Sequence, residues 1–168
     1  MRSVSFNNQL DKIAQAVSTS TSQHIVADVD SHIFKLLALH QQPYVPSRTG
    51  LAFHNDDSFV RLLIGAYGSG KSTICCAEIL FRALMMPEST DGVRKSRWAI
   101  VRNTYGDLEA TSLKTWLEWF ATLGAIKRRL SPRLNYVHTF NDGYGSIELE
   151  LMFIALDRPD DIRKLKSL

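Results

Sequence analysis

Residues 62–73 read LLIGAYGSGKST, and this stretch restricts the fold more than any other part of the 168-residue chain. Gly65, Gly70, Lys71 and Ser72 satisfy the pattern G-x-x-x-x-G-K-[ST], with Gly68 as a further glycine inside the loop. At ordinary glycine usage the pattern arises by chance in a chain of this length on the order of once in a few hundred sequences. Its setting is as informative as its letters. An apolar run, FVRLLIG (Phe59 to Gly65), enters it, and helix formers from Ser72 onward leave it. A run apolar at nearly every position suits a strand buried on both faces of a parallel sheet. Glycines let backbone N–H groups turn inward around a phosphate where side chains would collide, and the positive end of the following helix aims at the same anion. The candidate binding residues are Gly65, Ala66, Tyr67, Gly68, Ser69, Gly70, Lys71, Ser72 and Thr73. Lys71 is a point charge for the β- and γ-phosphates, Ser72 a hydroxyl ligand for Mg2+, and Thr73 a support for the α-phosphate. ATP with Mg2+ is the cofactor this chemistry fits, and Lys71 is the candidate catalytic residue, stabilising charge that develops on the transferred group. The plain alternative is a glycine turn before a helix.

The segments around the loop predict an α/β fold. After it, STICCAEILFRALMMP sets Ile74, Ala77, Ile79, Leu80, Ala83 and Leu84 at helical spacing, and Pro87 ends the helix. RWAIVR (Arg97 to Arg102) is a second short apolar strand, which completes a strand–helix–strand unit and predicts a mainly parallel sheet flanked by helices. Residues 1–43 read as a polar, partly helical extension and residues 44–168 as the domain. Within the extension, Phe6, Leu10, Ile13, Ala14 and Val17 form a weak helical pattern, and Ile33, Leu36, Leu37 and His40 form another that Pro43 and Pro46 stop. YVPSRTGLAFHNDDS is predicted as a loop. Downstream, DLEATSLKTWLEWFATLG places Leu113, Trp116, Leu117 and Phe120 on one helical stripe, with Gly124 as its C′ residue. IKRRLSPR is a loop or helix end. LNYVHTF, NDGYG and SIELELMFIALD read as a C-terminal β-hairpin, and RPDDIRKLKSL begins a further helix.

Composition narrows the class. With 45% apolar and 22% charged residues the chain is neither disordered nor fibrous, and a net charge of +3 decides nothing about partners. No apolar run approaches the ~20 residues of a membrane helix, and MRSVSFNNQLDKIAQAVSTSTSQ lacks the apolar centre of a signal peptide, so an intracellular protein is expected. Cys75 and Cys76, neighbours on a helix, point about 100° apart and read as small buried apolar residues in a reducing compartment. Tyr44, Phe53 and Gln42 are packing residues or adenine contacts. Trp98, Trp116 and Trp119 are core anchors first and a nucleic-acid stacking surface second. Lys127, Arg128, Arg129 and Arg133 form a solvated basic run or touch phosphates, and Arg102 closes its strand in solvent or reaches a neighbouring phosphate.

Hydrolysis needs an acid at the end of another buried strand, and usually an adjacent Glu. The candidate here, LMFIALD, ends at Asp157 and is followed by Arg158, so it reads first as a hairpin strand closed by an Asp and only second as the acidic strand. Three segments, FHNDDSFVRLLIGAYGSGKST, AIVRNTYGDLEATSLKTWLEWF and FIALDRPDDIRKLKSL, are similar to the N-terminal ATPase region of the large terminase subunit of tailed bacteriophages, over about Tyr44 to Leu168. The resemblance implies an ASCE-type P-loop NTPase, with double-stranded DNA translocated into a prohead in the host cell cytoplasm. It implies the small terminase subunit and the portal protein as partners, a homo-oligomeric ring, and no membrane. It further implies that the chain stops before its Walker B acid and catalytic Glu, so that the fold is incomplete, and that the family's nuclease domain lies outside it. Tyr67 stands where the family often has an arginine. A small P-loop kinase and an inert nucleotide-binding fragment stay open as alternatives.

Overall fold

The computed structural model describes residues 44–129 and 134–157. The helical patterns predicted within 1–43 and after Asp157 lie outside them. The chain divides into two compact units, Met1–Leu51 and Ala52–Leu168.

Four strands, β1 (Val93–Arg102), β2 (Ala125–Arg129), β3 (Asn135–Asn141) and β4 (Ser146–Ala155), form one sheet in the order β1-β4-β3-β2. β1 runs parallel to β4 with Trp98 opposite Leu151, whereas β3 is antiparallel to both β4 and β2. The α/β class is as expected, but among the described residues the sheet is mixed, with one parallel pair, and not mainly parallel. The cause is the short connection between β3 and β4, which only an antiparallel pair can use. There Asp142 Oδ1 accepts from the backbone N–H groups of Tyr144 and Gly145 at 3.0 and 3.2 Å, and Gly143 takes φ 90°. The hairpin expected from NDGYG is therefore present.

β2 corrects the reading of the first half of IKRRLSPR as a loop or helix end, the rest lying outside the described residues: Ile126 faces His138 and Arg128 faces Tyr136. It is an edge strand, and Lys127, Arg128 and Arg129 stay exposed, as charged edge residues do. Gly124 is extended (φ 177°) and makes no left-handed C′ turn. A Cβ there would collide with the Thr139 carbonyl oxygen and lie 2.7 Å from Phe140 Cβ, so close backbone approach is what requires glycine.

The predicted loop before the core contains a short helix, α1 (Arg48–His54), started by Ser47, whose Oγ accepts from the Gly50 N–H at 3.1 Å. The helix after the glycine loop, α2 (Lys71–Leu84), buries Ile74, Ala77, Leu80, Phe81 and Leu84 along one face. Farther on, α3 (Tyr105–Asp107), a π-helical stretch (Leu108–Leu113) and α4 (Lys114–Phe120) follow one another. Leu113, Trp116 and Phe120 of the predicted stripe are buried; Leu117 is 39% exposed. The core lies between these helices and one sheet face, where Ile147, Leu149, Leu151, Phe153 and Ala155 of β4 are all at most 1% exposed. Arg94 of β1 ties three pieces together: it donates to Leu84 O at the end of α2 (2.8 Å) and to Asp142 Oδ1 in the hairpin turn (2.5 Å). Among the described residues no helix is long and apolar enough to cross a membrane.

Candidate functional site

The chain that enters the glycine loop is not the buried strand its composition predicts. Residues 59–65 join no ladder, and Phe59, Val60, Leu62 and Ile64 are each at least 79% exposed. No described strand runs beside them, and an apolar run becomes a strand only where neighbours satisfy its backbone. Among the described residues the predicted strand–helix–strand unit is thus absent, and the one parallel pair joins β1 to β4.

The loop itself is ordered by its own atoms. Gly68 (φ 76°) and Gly70 (φ 77°) occupy the left-handed region that favours glycine, and Ser69 N–H donates to Ala66 O at 3.3 Å. Lys71 folds back over the loop, its Nζ donating to Gly65 O (2.8 Å), Ala66 O (2.5 Å) and Ser69 Oγ (3.2 Å). These three acceptors engage all three ammonium hydrogens. Ser72 and Thr73 follow on the first turn of α2, partly exposed, and Tyr67 is fully exposed at the loop tip. No side chain caps α2, so the N–H groups of its first turn remain available to an anion. Every residue of the 65–73 set therefore belongs to one turn leading into one helix.

Among the described residues no group of three or more His, Cys, Asp or Glu is placed to hold a metal ion. The Ser72 hydroxyl on the first turn of α2 can serve as one of the few protein ligands that Mg2+ takes. Asp157 is exposed two residues past β4, and no described hydrogen bond or ion pair joins it to the loop.

Sequence reasoning missed a buried carboxylate beside the loop. Glu78, on α2, has a side chain only 6% exposed, and its oxygens meet His54 Nδ1 at 2.6 Å, Arg61 Nη1 at 2.6 Å and Arg82 Nε at 2.7 Å. Burial opposes its charge, yet the hydrogen bonds from His54, Arg82 and Arg61 prevail and draw its pKa down to about 2. The available signal was an acid inside an apolar helical stripe with an arginine four residues on.

The remaining candidates separate cleanly. One face of Phe53 carries the Arg61 guanidinium, 4.6 Å from the ring centroid; Tyr44 is buried, and Gln42 lies outside the described residues. Trp116 is buried, and Trp98 and Trp119 are half-buried, so the anchor reading describes them better than a stacking surface. Arg102 Nε donates to Ser112 Oγ at 3.3 Å. Arg129 pairs with Glu150 at 3.3 Å, and Arg133 lies outside the described residues. Cys76 is buried, its thiol pushed up to about 12 chiefly by that burial, but Cys75 is exposed, contrary to expectation, because it falls on the outer side of α2. No family model, curated protein or solved structure matches the chain.

Proposed function

We propose that residues 65–73 bind ATP with Mg2+, and that the chain is the ATPase part of a viral DNA-packaging motor of the large-terminase type. The observation that carries the nucleotide reading is Lys71, held by Gly65 O and Ala66 O at the mouth of a glycine turn whose helix has an uncapped N-terminus. An ammonium there meets phosphate oxygens in place of carbonyls by swinging about its own side chain. The first-turn N–H groups of α2 hold the anion, Ser72 turns its hydroxyl to the metal, and Thr73 steadies the α-phosphate. ATP supplies the phosphoryl group, and Mg2+ neutralises its oxygens.

The packaging reading rests on the resemblance of VRNTY, TSLKTW and LDRPDDIRKLKSL to large terminases. It carries the remaining proposals: an ASCE-type P-loop fold, double-stranded DNA as the translocated substrate, the small terminase subunit and portal protein as partners, a homo-oligomeric ring and action in the host cytoplasm. Calorimetric titration with ATP and Mg2+ tests the nucleotide reading. Saturable binding is expected, weakened roughly a hundredfold in Lys71→Ala as two or more charge-assisted bonds are lost. A chain that takes up no ATP, or a Lys71→Ala variant that binds as tightly, ends the reading.

A further inference from the structure

We propose that Glu78 is a positioning residue for the glycine loop, holding the chain that enters the loop against the helix that leaves it; this rests on reading residues 65–73 as a phosphate site. The loop has two ends. Its C-terminal end is α2 itself, rigid and packed on the sheet. Its N-terminal end runs through residues 59–64, which share no ladder with any described strand, so the backbone gives that end nothing to hold.

Side chains supply the missing anchor. Arg61, four residues before Gly65, places Nη1 within 2.6 Å of Glu78 Oε1 and donates to Phe53 O (2.9 Å) and Asp56 O (3.0 Å). Arg82 braces the same segment from the next turn of α2, through Asp57 Oδ1 at 2.8 Å and Asp56 O at 3.3 Å. His54 closes the cluster on Glu78 Oε2. Residues 53–61 thus wrap around one buried carboxylate. Glu78 lies seven residues after Lys71, two turns or about 10 Å along the helix. The Glu78–Arg61 pair therefore sets the span between the two ends of the loop, and a phosphate cradle needs its donors held to within about 0.5 Å. Two arginines balance Glu78 and Asp57 in charge, and the Arg61 side chain is only 18% exposed, so an amide in place of the carboxylate strands a shielded cation.

The test uses the full chain with Glu78→Gln and Arg61→Lys. Three quantities are measured at a temperature where β4 stays protected: 15N order parameters across residues 62–70, order parameters across β4, and the Kd for ATP with Mg2+. In the parent the loop is expected near the rigid value of about 0.85, falling below about 0.6 in Glu78→Gln while β4 is unchanged. ATP affinity is expected to fall about tenfold, the scale seen when a supporting contact and not a ligand contact is lost. Arg61→Lys, which keeps the charge on a shorter side chain without the guanidinium plane that lies over Phe53, falls between the two and decides the matter if Glu78→Gln does not fold. A folded variant with unchanged loop order, a parent loop already below 0.6, or a β4 that loosens as much as the loop overturns the proposal. Failure of the parent to bind ATP removes the phosphate reading alone, since the order parameters still report whether Glu78 holds the loop.

Discussion

Residues 59–65, FVRLLIG, and residues 149–155, LELMFIA, are close to equal in apolar content, and each run holds a single charged residue. Leu149, Leu151, Phe153 and Ala155 are fully buried between β1 and β3, whereas Phe59, Val60, Leu62 and Ile64 stand in solvent. The two charged residues do not follow the contrast: both are shielded, Arg61 with a side chain 18% exposed in the cluster around Glu78, and Glu150 with one 11% exposed that meets Asn135, Arg97 and Arg129. Apolar content thus decides what a segment can bury, and neighbouring backbone decides whether it does.

The sharpest way to break this comparison is a pair of truncations. Leu151→Ala should cost about 3 kcal/mol by opening a cavity in a closed core, and Leu62→Ala no more than about 0.5 kcal/mol, both read by denaturant unfolding. Equal costs would mean that the exposed run is covered in solution.

The carboxylates sharpen it next, through pH. Glu78 has a folded pKa of about 2 against 4.5, so its stabilisation is full above pH 4.5 and is lost as pH falls toward 2. Thermal midpoints measured from pH 7 to 2 should decline in that window, and the decline should be smaller in Glu78→Gln.

A smaller effect of different origin comes from His138. It is fully buried against Trp116 and Phe140, among the described residues neither ring nitrogen has a hydrogen-bond partner, and burial draws its pKa down to about 4. The unfolded chain takes up that proton first, so stability falls between pH 6.5 and 4. His138→Leu should flatten this window and raise stability at pH 6 by about 1 kcal/mol, since an unsatisfied buried polar group is removed. The smallest effect is Arg129→Ala, about 0.5 kcal/mol and shrinking in salt, because the ion pair it breaks is half in water.

Much of this was legible in the letters, and the misses share a cause. The glycine loop, α2 and the β3–β4 hairpin are written in local signals: glycines at left-handed positions, a 3.6-residue apolar period, and an Asx turn. What the sequence hides depends on distant partners. β2 reads as a basic loop because an edge strand needs no apolar alternation. The approach to the glycine loop reads as a strand because nothing in FVRLLIG says that no described strand lies beside it. Glu78 does not stand out in the sequence because two of its partners lie 17 and 24 positions upstream. The short α1 needs only Ser47 to start it, a signal too small to outweigh the flanking loop residues.

The guanidinium of Arg94 has a mechanical consequence. One group grips the last carbonyl of α2 and the hairpin turn at once. A helix so fastened cannot slide along its axis without parting from Leu84 or dragging Asp142 with it. The end of α2 far from the glycine loop is therefore tied to the hairpin turn through Arg94, and sliding of the helix along its axis would have to break that tie.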